Sequence, residues 1–329
     1  MANDAYIDTG SKSGVLEFAS TGTAPVRTIT SGPAGKAPSF MTADRAGNLY
    51  VIGSTPHYAS STIAEYASGA TTPTRMLQGV IDPTAMVSDA SGNLFVADIR
   101  ASPSGAVLEY TPQATTPSVR IVSGIHSPQR VAEDDATNLY VLNVFGASQR
   151  CRETITEYPQ GETTPSRSLT VQGCPSRTPM AVDAQHSQVY VVTGGGRRVA
   201  IFGDNGTRPK RILKNGIQNA YALAVDNKGY LYVANAPGSY SGSSGGLTVA
   251  IFAPRDAAPR RIIHVRNGIG ACSGGLQPID VDSQQNVYLI DCYFAFHHAA
   301  DTLVYSHAGK RLRTLHGLGD YAQALTIIP

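Results

Sequence analysis

The 329-residue chain reads as an all-β protein made of seven copies of one four-stranded unit, and three periodic features say so. An Asp that opens a tight turn recurs at Asp44, Asp89, Asp134, Asp183, Asp226 and Asp282, with Thr326 in the seventh place, at gaps of 45, 45, 49, 43, 56 and 44 residues. An aromatic in the strand that follows recurs at Tyr6, Tyr50, Phe95, Tyr140, Tyr190, Tyr232 and Tyr288. A third strand ends in an aromatic at Phe18, Tyr66, Tyr110, Tyr158, Phe202, Phe252 and Tyr305, and a fourth carries Arg27, Arg75, Arg120, Arg167, Arg211, Arg261 and Arg313. A unit of this length cannot bury both faces of its own sheet. Repeated around a ring, each sheet packs on two neighbours and only short edges remain. The predicted fold is a seven-bladed β-propeller with four antiparallel strands per blade, one domain spanning residues 1–329.

Strand by strand, the clearest copy is 221–235, Tyr-Ala-Leu-Ala-Val-Asp-Asn-Lys-Gly-Tyr-Leu-Tyr-Val-Ala-Asn. Its first half is strand A, innermost; Asp-Asn-Lys-Gly is the turn; its second half is strand B. Strand C carries the second aromatic, and strand D, outermost, the Arg. Seven such arginines, one per blade, are expected to charge the outer strands against edge-to-edge pairing. Glu17, Glu65, Glu109 and Glu157 on strand C are expected to pair with them across the sheet. The chain starts on a B strand, residues 5–8, and ends on an A strand, residues 322–328. The C-terminal innermost strand therefore closes the ring by joining the N-terminal strands.

Composition narrows the function classes. Net charge is only +2, and no basic stripe interrupts the repeat, so nucleic acid is not the expected partner. No run of 18 apolar residues is present, so no membrane-spanning helix is expected, and a monomer is. Strand polarity puts the B–C and D–A loops on one face, the top face. Cys151, Cys174, Cys272 and Cys292 all fall there, neighbours along the ring in pairs. Disulfides 151–174 and 272–292 are expected, each contributing about 2–4 kcal/mol, with four unpaired thiols as the alternative. Disulfides imply a secreted or periplasmic protein. The start Met1-Ala-Asn-Asp, directly before the first strand, is what removal of an export signal would leave.

The pattern Pro-x-x-x-Ala-x-Asp-x-x-Gly-Asn-Leu-Tyr-Val, seen at 84–96 as Thr-Ala-Met-Val-Ser-Asp-Ala-Ser-Gly-Asn-Leu-Phe-Val, resembles the NHL-type and SMP-30-like propeller repeats of bacteria. The resemblance spans nearly the whole chain and implies a propeller whose site lies near the axis on one face. Such propellers include binding proteins, structural modules, metal-dependent lactonases and lyases. No catalytic signature of any one of them is matched residue by residue.

Candidate chemistry gathers at the top face. The residues ending the B strands, Thr9, Gly53, Asp98, Asn143, Thr193, Asn235 and Asp291, offer hard oxygen donors to Ca²⁺ or Mg²⁺. The alternative is that Asp and Asn there cap the turn into the B–C loop by bonding nearby backbone. The loop after Asp291 holds Tyr293, Phe296, His297 and His298, an apolar wall beside a general base or metal ligand. Within the small and aliphatic A strands, Arg130, Glu133, Asp280 and Gln323 break the pattern. Arg130 and Glu133, three apart, fall on opposite sides of their strand. Asp280 stands two places before its turn Asp, where other blades carry Thr42, Val87, Ala132, Ala181, Ala224 and Ala324, and a carboxylate there needs a partner or an ion. Gly242-Ser-Ser-Gly-Gly246 matches Gly-x-Ser-x-Gly in letters only, lacking the strand–turn–helix of a nucleophile elbow. The longest D–A step, Arg261 to Asp282, and the longest B–C step, through Tyr240, sit in adjacent units.

The expectation is a propeller that binds a small molecule, glycan or protein at its top-face loops near the axis, through Tyr293, Phe296, Arg130, Glu133 and Tyr240. A metal-assisted lyase or lactone hydrolase, using His297, His298 and Asp280 with Asp291, Asn235, Asp98 and Asn143 around Ca²⁺ or Mg²⁺, is the alternative. A structural repeat protein is the third. Peptide mapping without reductant is expected to join Cys151 to Cys174 and Cys272 to Cys292; four thiols that label freely in denatured, unreduced protein would remove both the pairing and the argument for export.

Overall fold

The computed structural model describes residues 4–9, 14–29, 37–54, 61–146, 152–171, 178–203, 206–236, 246–265, 278–291, 301–316, 322 and 324–327. Its strands form seven sheets of four, each antiparallel and in the order A-B-C-D, a seven-bladed β-propeller. The A strands are Leu325–Ile327 in blade 1, Ala37–Ala43 in blade 2, Pro83–Ser88 in blade 3 and Pro128–Glu133 in blade 4. Met180–Asp183, Ala220–Val225 and Ile279–Val281 follow in blades 5 to 7. Each A strand lies against the A strands of the two flanking blades, so the ring is continuous.

The core lies between blades rather than within them. Alternate residues of a strand point to opposite faces of its sheet, hence to opposite neighbours. In blade 1, Tyr6 packs with Met41, Val51 and Tyr66 of blade 2, while the next residue, Ile7, packs with Tyr288, Ile290 and Leu315 of blade 7. A blade taken alone would leave both of these faces wet.

The turn Asp organises each A–B hairpin. Asp44 accepts the backbone N–H groups of Ala46 and Asn48 and the side-chain amide of Asn48, and Gly47 takes φ +84°. The same bonds recur at Asp89, Asp134 and Asp282. Its second carboxylate oxygen also accepts the strand B tyrosine hydroxyl, at 3.3 Å for Tyr50, 3.0 Å for Tyr140 and Tyr232, and 3.3 Å for Tyr288. A buried phenol thereby meets an acceptor, as burial demands.

Three of the D-strand arginines do not charge the rim, whereas Arg120 and Arg261 are exposed there. The side chains of Arg27, Arg75 and Arg167 are only 12–13% exposed, each paired with Glu17, Glu65 or Glu157 of strand C. Their Nη1 groups reach into the next blade and donate to carbonyls of its C–D turn: Arg27 to Ala70, Arg75 to Ala114 and Arg167 to Gly203. Arg261 does the same to Ala308, and Arg313 to Ala19 and Gly22 across the junction from blade 7 to blade 1. A guanidinium has donors in a fixed fork, so one group holds a carboxylate in its own sheet and a carbonyl in the neighbour.

Blade 3 is the exception among the four expected Glu–Arg pairs. Val119, not Arg120, stands opposite Glu109, and Arg120 stands opposite Leu108. The shift of one residue turns Arg120 to the other side of its strand. It donates instead to the carbonyl of Ala101, and burial together with Asp89 pushes the Glu109 carboxyl up.

Closure follows the expected topology with a shifted register. Strand A of blade 1 pairs Ile327 with Ala5, Thr326 with Tyr6 and Leu325 with Ile7. Thr326 is therefore the counterpart of Thr42, which faces Tyr50, and of Asp280, which faces Tyr288. It does not fill the turn Asp place, and Ala324 is not the counterpart of Asp280. Two carboxylates staple the strand: Asp8 accepts the N–H of Ala324 and Asp280 that of Ile327, both at 3.0 Å.

Arg75→Ala removes a shielded ion pair and an inter-blade bond together, and is expected to cost roughly 2–4 kcal/mol in urea unfolding. Arg120→Ala, at an exposed side chain, is expected to cost less than about 1 kcal/mol. Equal losses would show that the clasp adds nothing.

Candidate functional site

The A strands enclose a cavity of about 370 Å³ on the axis. Its wall combines apolar residues, among them Phe40, Met86, Val87, Leu223 and Ile279, with the polar Thr42, Arg130, Glu133, Asp280 and Tyr221. Three of the four A-strand anomalies in the sequence thus share one cavity, and the fourth, Gln323, lies outside the described residues.

Asp280 is fixed by backbone. One oxygen accepts the N–H of Val281 at 2.8 Å, the other that of Ile327 in blade 1. Burial pushes its carboxyl up to about 6 against the pull of those two N–H groups, with Asp282 adding to the rise. Glu133 occupies the lower end, beside the A–B turns. Burial first, then the charges of Asp89 and Asp134, push it up to about 8, with Arg45 opposing, so the acid is largely neutral at pH 7. Its approach to Asp89 places it toward blade 3. Arg130, of opposite parity, lies on the other side of the same strand, its Nη1 donating to the Gln129 carbonyl at 3.0 Å.

Tyr221 was not singled out by the sequence. It sits at a β-bulge between Ala220 and Ala222 that takes it out of the ladder with strand B. The same bulge occurs in blades 2, 3 and 4, where the extra residues are Ser39, Thr84 and Gln129. Those polar side chains bond nearby carbonyls, Thr84 that of Pro128 in blade 4 and Gln129 that of Ser127. The Tyr221 hydroxyl is buried without a hydrogen-bond partner. Burial, and next the charge of Asp291, push its pKa far up, so it stays a neutral phenol. The available signal was a polar residue recurring at one place in three A strands, Ser39, Thr84 and Gln129, with Tyr221 at that place in blade 6.

Three of the four metal candidates are turned onto backbone. Asp98, fully buried, accepts the N–H groups of Ile81, Asp82 and Arg100 at 2.6–3.1 Å. Asn143 accepts the N–H of His126, and Asn235 that of Gln218. Each grips the D–A connection entering its own blade rather than the B–C loop that a capping role was expected to serve, which only Asp98 also caps, through Arg100. Asp291 lies at the end of strand B of blade 7, close enough to Tyr221 for its charge to act there. Among the described residues, no three His, Cys, Asp or Glu side chains are grouped to hold a metal ion. Tyr240, Tyr293, Phe296, His297, His298 and the four cysteines lie outside the described residues. No described helix is long and apolar enough to cross a membrane.

A second buried acid lies outside the cavity. Glu153, 1% exposed on strand C of blade 4, accepts the Thr178 hydroxyl on one oxygen, and its other oxygen is buried without a partner. Burial pushes it up to about 7 despite that bond.

The comparisons agree on the fold. A functionally unknown protein from Desulfotomaculum acetoxidans superposes with a TM-score of 0.67 at 11% identity, over 99% of this chain and 98% of its own. Kuenenia stuttgartiensis hydrazine synthase gives 0.58 at 13% identity, over 82% of this chain and 76% of its own. The WD40 domain of Toxoplasma gondii coronin gives 0.62 at 9%, over 84% and 70%. At these identities the likeness shows the propeller fold alone. No family model matches the chain, and no curated protein does.

Glu153 gives a pH dependence with a defined sign. Its folded pKa lies above the ordinary carboxyl value of 4.5, so its contribution to stability is fully present below about pH 4.5 and lost as pH rises through about 7. Glu133 and Asp280 act in the same direction. Urea unfolding of Glu153→Gln is expected to show a shallower fall in stability between pH 5 and 7, by up to ~1.4 kcal/mol per pH unit. An unchanged slope would mean that Glu153 titrates normally.

Proposed function

We propose that the protein binds a small organic molecule in its axial cavity, with no reaction required. The observation that carries this reading is the cavity itself: about 370 Å³ lined by apolar residues together with five polar residues, Thr42, Arg130, Glu133, Tyr221 and Asp280, from four blades. Ligand sites have this character, apolar walls for affinity and a few placed polar groups for orientation. The polar groups sit on strands of a closed ring, the most rigid part of the fold, where a site keeps its geometry. The resemblance to NHL-type repeats, whose sites lie near the axis, supports the location and nothing finer. Export from the cytoplasm belongs to the same proposal through the expected disulfides.

Filling the cavity tests it. Ala132 lines the wall of blade 4. A fragment library screened by ligand-observed NMR is expected to yield binders of the wild-type protein that Ala132→Phe no longer binds, at a melting temperature within a few degrees of the parent. Binders unaffected by Ala132→Phe would place the site elsewhere.

A further inference from the structure

We propose that the axial ligand is a small zwitterion, a molecule with a carboxylate at one end and an ammonium group at the other, held between Arg130 and Asp280. The proposal rests on the axial reading above and adds the chemical class.

The ring fixes where the two charges stand. Arg130 belongs to blade 4 and Asp280 to blade 7, three steps apart in a ring of seven, so they come from nearly opposite walls of one cavity. Their heights follow from the ladders. Asp280 faces Tyr288, and Arg130 faces Leu142, which lies two residues beyond Tyr140, the counterpart of Tyr288. Arg130 therefore stands two rungs nearer the top face, on the same side of its blade as Asp280. A cavity with a cation on one wall and a carboxylate across from it is a dipolar site. A ligand carrying both charges meets both walls, whereas one carrying a single charge meets only one of them.

Each wall has capacity for a ligand. A carboxylate offers about four acceptor positions, and the N–H groups of Val281 and Ile327 use one on each oxygen. Those bonds hold Asp280 in place and leave it able to accept from an ammonium. The Tyr221 hydroxyl supplies the second, independent observation. It lines the same cavity, is buried, and has no partner, which in a native protein calls for an explanation. With the Asp291 charge keeping its proton on, it is a neutral hydroxyl with lone pairs to offer an ammonium on the blade 6–7 side. Glu133 does not cancel Arg130: it lies on the other side of the strand, toward blade 3, and is largely neutral at pH 7. At about 370 Å³ the cavity falls at the lower end of the roughly 300–1,000 Å³ of small-ligand sites, which suits a molecule the size of an amino acid.

The probes are 4-aminobutanoate and 6-aminohexanoate, each against the matched acid and the matched amine, by isothermal titration calorimetry at pH 7. One zwitterion is expected to bind at least tenfold more tightly than either of its single-charge analogues. Arg130→Met is expected to abolish its advantage over the amine, and Asp280→Asn its advantage over the acid. Because Asp280 also staples the closing strand, Tyr221→Phe provides a variant clear of that role, expected to weaken zwitterion binding several-fold at unchanged melting temperature. An acid or amine that binds as well as the zwitterion overturns the proposal, and if Ala132→Phe abolishes that binding the axial reading still stands. Failure of every probe on the wild-type protein, or full affinity in Tyr221→Phe, also overturns it.

Discussion

Every blade is apolar on both faces, and that is the constraint on which the rest of the molecule depends. Tyr6 and Ile7, adjacent in one strand, belong to two different interfaces. Neither interface exists unless both neighbouring blades are present, so stability is a property of the closed ring. The clasps act at the same seams. Arginines of blades 1, 2, 4, 6 and 7 each bond a carbonyl of the following C–D turn, the last of them spanning the junction where the chain's ends meet. A bond to a backbone carbonyl tolerates variation in the neighbour's side chains, which lets the repeats diverge while the seam is kept.

The clasps and the Asp–Tyr turns occupy the bottom face. The A strands join the seams through Phe40, Met41, Met86 and Ile279 and also line the channel, so a substitution there meets a packed neighbour or the channel according to its place. Asp280 shows how the two roles meet. Its counterparts in the ladder are Thr42, Val87, Ala132, Ala181, Ala224 and Thr326, none of them charged. By taking the N–H of Ile327 it replaces part of the hydration it loses and holds the closing strand.

The parts of the fold that were legible in the sequence are those governed by local chemistry. The turn Asp and the aromatic six or seven places on are set within one hairpin, so the Asp marks six hairpins and the sevenfold aromatic gives the blade count. Glu and Arg were legible as a pair because three blades space them ten apart; in blade 3 they are eleven apart, and with a side-chain period of two that one residue decides against pairing. The reach of the arginines into the next blade was not legible, since it depends on how sheets sit against each other. Thr326 was misplaced because the last hairpin has no turn to count from. Tyr221 was missed for a related reason: a bulge shifts the count by one and re-aims the side chain, and neither effect shows in a period. Asp98, Asn143 and Asn235 looked like ligands because strand ends that cap loops and strand ends that hold ions use the same oxygen donors.

The acids whose carboxyl groups are raised, Glu133, Glu153 and Asp280, differ in what surrounds them, and the difference bears on function. Glu153 has a hydroxyl on one oxygen and nothing on the other, deep in a seam with no access to a ligand, so its rise is a standing cost of the fold. Asp280 carries two N–H bonds and still titrates above an ordinary carboxyl group, which means that two neutral donors do not replace the water it has lost. A cation would. Placed in the cavity, an ammonium group favours the ionised form, lowers the Asp280 pKa and strengthens the hold on Ile327 in the same step. On the proposed axial reading, ligand binding and closure of the ring are coupled through one side chain, and by linkage whatever tightens closure tightens the ligand.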